Sequence, residues 1–169
     1  MTDKIYLVGF MGSGKSTIAR ALAARLRWQH DDIDDLIERR ERRTIADIFA
    51  KQGEPYFRAV EREMLKVLQP LRHVVIATGG GTFADPDNRA AINLDGVSIW
   101  IDVPLPDLLH RIPLDGRRPL AANRADLERL FALRAETYRL AQLRIPAARV
   151  PVTGIVDQIL EALSQLPPS

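Results

Sequence analysis

Residues Gly9-Phe10-Met11-Gly12-Ser13-Gly14-Lys15-Ser16-Thr17 constrain this chain more than any other stretch. Before them, Lys4-Ile5-Tyr6-Leu7-Val8 is a short apolar, β-branched run that predicts a buried strand. After them, Ile18, Leu22 and Leu26 recur at helical spacing among alanines. Strand, glycine turn and helix follow in the order of a phosphate-binding loop, and Gly9 to Ser16 fits G-x-x-x-x-G-K-[ST]. In such a loop Gly12, Ser13, Gly14, Lys15, Ser16 and Thr17 present backbone N–H groups to phosphate oxygens at a helix N-terminus. The Lys15 ammonium reaches the outer phosphates and the Ser16 hydroxyl is a ligand for Mg²⁺. The implied ligand is a nucleoside triphosphate.

The rest of the chain alternates in the same way. A strand is expected at Trp28-Gln29-His30, then an acidic run Asp31 to Asp35 leading a helix. Thr44 is placed to cap a short helix, with Asp47 at the capping-box position, and Gly53-Glu54-Pro55 restarts a helix that Pro70 closes. Further strands are predicted at 73–77, 97–102 and 143–145, and further helices at 86–94, 104–111, 125–140 and 152–166. Residues 112–123, punctuated by proline and glycine, read as a long mobile loop. This alternation predicts one α/β domain with a parallel sheet covered on both faces and ligands at the carboxyl ends of the strands.

Composition narrows the function classes. With 24 Lys and Arg against 22 Asp and Glu, and 6% aromatics, there is little to attract or stack a nucleic acid. Cysteine is absent, which excludes disulfides and thiolate metal sites and suits a reducing cytoplasm. No apolar run approaches the roughly 20 residues of a membrane span. A cytoplasmic monomer with neither membrane nor nucleic-acid partner is the expectation, and no secretory leader is expected.

Several groups besides the loop carry chemistry. Asp32 and Asp34 end a strand at i, i+2 and are placed to divide labour, one near a metal and one receiving a substrate proton. The same residues also suit a helix cap. Asp102, at the end of another apolar strand, competes with Asp32 as the acidic group beside the metal. Arg58 and Glu61 are i, i+3 neighbours, so Glu61 can orient a guanidinium suited to a carboxylate; an exposed helix salt bridge is the plainer account. Gly79-Gly80-Gly81 after a buried strand allows close approach of a ligand to the backbone. Asp115-Gly116-Arg117-Arg118-Pro119-Leu120 carries two arginines on the mobile loop, as a lid closing on phosphates would.

Taken in order, Gly9 to Thr17, Asp32-x-Asp34, Gly53-Glu54-x-x-Phe57-Arg58-x-x-Glu61, Gly79-Gly80-Gly81, Arg118-Pro119-Leu120 and Arg134-Ala135-x-x-Tyr138 resemble the shikimate kinase family. The resemblance spans nearly the whole chain. It implies a three-layer P-loop fold of the nucleoside monophosphate kinase kind, with a five-stranded parallel sheet in the order 2-3-1-4-5. A substrate-binding region would lie at about 33–60 and a mobile lid at about 112–123. It implies transfer of the ATP γ-phosphoryl group to the 3-hydroxyl of shikimate, with Mg²⁺. Asp34 would hold that hydroxyl and act as base, and Arg58 and Arg134 would grip the carboxylate, with Gly80 donating its N–H. Lys15 and Arg118 (preferred to Arg117 because it precedes Pro119) would stabilise phosphoryl charge. Arg111 and Arg149 match positions near adenine, Ser16 would bind Mg²⁺ directly, and Asp32 would do so through water. Where the family often has Ala-Asp, this chain has Ala141-Gln142. Two arginines suit any carboxylate, so a kinase for another hydroxy acid such as gluconate is the alternative, and a regulatory nucleotide-binding module is a second.

Overall fold

A computed structural model describes residues 2–112 and 123–168. Five strands, β1 (Lys4–Val8), β2 (Gln29–Asp32), β3 (Val74–Ala77), β4 (Val97–Asp102) and β5 (Leu143–Pro146), form one parallel sheet in the order β2-β3-β1-β4-β5. The central strand pairs Lys4 with Val74 on one side and Ile5 with Val97 on the other. Ile5, Leu7 and Val8 are fully buried, as the unbroken apolar run demands when helices cover both faces. Each such side chain contributes about 1.5–3 kcal/mol of transfer free energy. The edge strand β2 is more exposed and begins at Gln29.

The helices are α1 (Lys15–Leu26), α2 (Ile33–Glu41), α3 (Ile45–Leu68), α4 (Pro86–Asp95), α5 (Leu105–Leu109), α6 (Arg124–Tyr138) and α7 (Val152–Ser164). Local signals set their ends. Asp32 caps α2 by accepting from the Asp34 and Asp35 amides, and Thr44 caps α3 by accepting from Asp47 N–H. Gly53 breaks α3 with φ 82° and ψ 170°, so two helical segments meet at a kink that Pro55 restarts. Asp85 caps α4, with Pro86 in its first turn. His73 sits at φ 55°, which delays β3 by one residue relative to the expected start.

Two differences from expectation stand out. Helix α5 stops at Leu109 rather than Arg111. A 3-10 turn at Thr82–Ala84, not foreseen, follows the glycine run and carries the chain to α4. The proposed lid falls almost wholly at 113–122, outside the described residues. Among the described residues, no helix is long and apolar enough to cross a membrane.

Candidate active site

The phosphate loop follows β1 directly. Gly12 (φ 78°) and Gly14 (φ 87°) occupy the left-handed region, and Gly14 is the N-cap of α1. Ser13 N–H donates to Phe10 C=O at 3.2 Å, closing the turn. Lys15 is nearly buried, its Nζ donating to Gly9 C=O at 2.7 Å and Phe10 C=O at 3.0 Å. The ammonium thus rests inside its own loop, on carbonyls within reach of where phosphate oxygens sit in such cradles.

A cleft of about 320 Å³ opens in front of the loop, and Lys15, Ser16, Asp32, Asp34 and Gly80 all line it. Ser16 Oγ donates to Asp32 Oδ2. Asp32 thus caps α2 through one oxygen and accepts from the Ser16 hydroxyl with the other. The competing acid is placed elsewhere: Asp102 Oδ2 accepts from Arg144 Nε at 2.8 Å, and Arg144 lies over the Trp100 ring. Asp102 is thus committed to a strand-to-strand ion pair rather than to the cleft.

Asp34 is the unusual carboxylate. Its Oδ1 is buried without a hydrogen-bond partner. Desolvation, then the charges of Asp32 and Glu61, push its pKa from 3.8 up to about 7, against the opposing pull of Lys15. A side chain on Gly79 would collide with that oxygen, since a Cβ there would lie 2.8 Å from Asp34 Oδ1. A carboxylate so poised is suited to accept a proton near neutral pH.

Across the glycine run lie the two arginines. Arg58 Nη1 donates to the fully buried Glu61 at 3.0 and 3.2 Å, and Thr82 Oγ1 donates to Glu61 at 2.8 Å. Glu61 therefore fixes the Arg58 rotamer from a buried position, which is more than an exposed helix pair does. Arg134 comes from α6, yet both guanidiniums converge on Gly81: a Cβ there would meet Arg134 Nη1 at 2.6 Å and clash with Arg58 as well. Two cations brought together in a largely buried place form a receptor for an anion. Two of the three glycines are thus required by the site's own side chains, a role the sequence pattern did not reveal. Tyr138 was present in the motif without a role; its hydroxyl donates to Gly80 C=O.

On the far side of the loop a second cavity of about 270 Å³ is lined by Gly14, Thr17, Arg111, Val150 and Pro151 among others. Arg111 Nη1 also reaches Gly12 C=O at 3.4 Å. Arg149 is exposed at φ 55° and precedes Val150 without forming part of the wall. Arg118 lies outside the described residues. The departure at Gln142 has a local use: its Oε1 accepts from Ser98 N–H at 2.9 Å and its N–H donates to Ser98 Oγ at 3.0 Å.

A sheet ordered 2-3-1-4-5 with this loop on its central strand defines the class, a P-loop kinase of the nucleoside monophosphate kinase kind. A sequence profile described as shikimate kinase matches residues 11–164. The chain belongs to the shikimate kinase family, ATP-using phosphotransferases with an alcohol acceptor. It is 41% identical to the shikimate kinase of Persephonella marina over 92% of this chain and 96% of that one. Among solved structures, shikimate kinase from Acinetobacter baumannii in complex with shikimate superimposes with a TM-score of 0.92 at 33% identity, covering 99% of this chain and 97% of that one. Thymidylate kinase from Candida albicans, with a TM-score of 0.58 at 14% identity over 96% of this chain and 91% of that one, shares the fold.

Proposed function

We propose that this chain transfers the γ-phosphoryl group of ATP to the 3-hydroxyl of shikimate, giving shikimate 3-phosphate and ADP in the biosynthesis of aromatic amino acids. The observation that carries the reading is the convergence of Arg58 and Arg134 at Gly81, beside a cleft shared by Lys15 and Asp34. The Acinetobacter baumannii relative was solved with shikimate, which supports the same acceptor here.

In this reading the region at 33–60 holds shikimate, its carboxylate between Arg58 and Arg134 and near the Gly80 N–H. ATP occupies the loop, with adenine in the cavity beside Arg111 and Arg149 at its margin. Asp34 accepts the hydroxyl proton as the freed oxygen attacks the γ-phosphorus, and the bond to the β–γ bridging oxygen breaks to release ADP. Lys15 exchanges the Gly9 and Phe10 carbonyls for phosphate oxygens, and Arg118 of the lid at 112–123 adds charge on closure. The oxygen donors Ser16 and Asp32 fit Mg²⁺, Ser16 directly and Asp32 through water; no cluster of three His, Cys, Asp or Glu occurs among the described residues, so phosphate and water would complete its shell. When bound, the ion would supply positive charge to neutralise what develops on the phosphate oxygens. The protein works as a cytoplasmic monomer, without nucleic-acid or membrane partner.

ADP release measured with shikimate, quinate and gluconate tests this. Mg²⁺-dependent turnover that requires shikimate is expected. Strong turnover with gluconate and none with shikimate would overturn the acceptor.

A further inference from the structure

We infer that Tyr138 is a positioning residue that holds the carboxylate clamp in shape, its hydroxyl tying α6, which also carries Arg134, to the Gly80–Gly81 peptide. The inference rests on the shikimate reading and adds a residue to it. Tyr138 lies one helical turn after Arg134 on the same face. It is 2% exposed, and its hydroxyl donates to Gly80 C=O.

The geometry gives this contact reach. Gly80 C=O and Gly81 N–H belong to one planar trans peptide, so fixing the carbonyl fixes the direction of the amide beside it. Gly81 is where Arg58 and Arg134 converge, and the Tyr138 bond joins those from Thr82 N–H to Gly79 C=O and from Ala84 N–H to Gly81 C=O in fixing the glycine run. Burial raises the Tyr138 pKa well above its ordinary value, so the hydroxyl stays a donor throughout the neutral range. The ring is held independently, 6.1 Å from Trp100 at an interplanar angle of 37°, and phenylalanine would keep that packing.

Tyr138→Phe separates positioning from bulk packing. Shikimate and ATP binding should be measured by titration calorimetry in wild type, Tyr138→Phe, Arg134→Ala and the double variant. Loss of the hydroxyl should weaken shikimate about five- to tenfold, as expected for one hydrogen bond acting at second hand. ATP affinity and melting temperature should stay near those of wild type. On the Arg134→Ala background the same substitution should cost under about twofold, because the guanidinium that the hydroxyl helps to place is gone. Equal losses for both ligands, or a full additional loss on the Arg134→Ala background, would make Tyr138 a structural residue and overturn the inference. Wild-type shikimate binding with an unchanged Tyr138→Phe affinity would overturn it alone. A wild-type protein that binds no shikimate would overturn the functional reading as well.

Discussion

Lys4 and Lys15 are both buried lysines, one at each end of the strand and loop that begin the chain, and they are held in opposite ways. Lys4 Nζ, fully buried, donates to Leu68 C=O and Gln69 C=O at 2.9 Å each and to Asp95 Oδ2 at 2.6 Å. Tyr6 donates to the same Asp95 oxygen at 2.6 Å. At this amino end of the sheet the lysine satisfies the C-terminus of α3 and ties α4 to it. Lys15 rests on carbonyls only five and six residues away, within its own loop. Exchanging those two carbonyls for phosphate separates no packed elements. The carboxyl end repeats the pattern in Asp34, whose Oδ1 has no partner, and in the paired arginines at Gly81. Buried charge at the amino end ties distant elements together, whereas at the carboxyl end it gathers around the cleft.

That contrast is broken most sharply by removing each lysine. Lys15→Ala should lower phosphoryl transfer by roughly 10³-fold or more, since the ammonium serves charge that develops in the transition state. Its thermal unfolding should stay close to wild type. Lys4→Met should do the reverse. Removing one partner of a buried ion pair costs about 3–5 kcal/mol, which for a domain of this size lowers Tm by roughly 6–20 °C. Below its melting transition the variant should retain kcat, and a calorimetric scan beside an ADP assay reads both. A Lys4→Met protein that melts normally but turns over slowly would merge the two ends.

A smaller effect sharpens the comparison through pH. In the folded protein Asp34 has its pKa raised from 3.8 to about 7, so the native state holds a proton that the unfolded chain releases. The associated stability is full below about pH 4 and is lost as pH rises through about 7. Asp34→Asn should remove that slope and be the more stable protein at pH 8, while transferring no phosphoryl group. Wild-type kcat/KM should rise through about pH 7 as the carboxylate form fills.

The parts legible in the sequence are those whose cause is local. The phosphate loop, the caps at Asp32, Thr44 and Asp85, and the break at Gly53 all depend on residues a few positions apart. Arg58 with Glu61 was readable as a pair, although not as a pair buried with Thr82. Arg134 came only from resemblance, because its partner surface is made by another helix. Asp32 and Asp102 each end a strand, and in the sequence only the pairing with Asp34 at i, i+2 set Asp32 apart. In the structure Asp102 is engaged by Arg144 on the neighbouring strand, whose register sets it beside Trp100. Gly79 and Gly81 were read as room for a ligand, yet each also makes room for a side chain from a different helix. Lys4 gave no signal at all, with partners 64 to 91 residues away.

The account turns on an anion held between Arg58 and Arg134. Its most direct measurement is the affinity of shikimate and of the analogue with a neutral amide in place of the carboxylate, in wild type, Arg58→Ala and Arg134→Ala. One charge-assisted contact is worth roughly 1.5–3 kcal/mol, or about one to two decades of affinity. Wild type should prefer shikimate over the amide by at least that margin, and each variant should lose most of the preference while ATP affinity holds. Variants that discriminate against the amide as strongly as wild type does would place the carboxylate elsewhere and contradict the account.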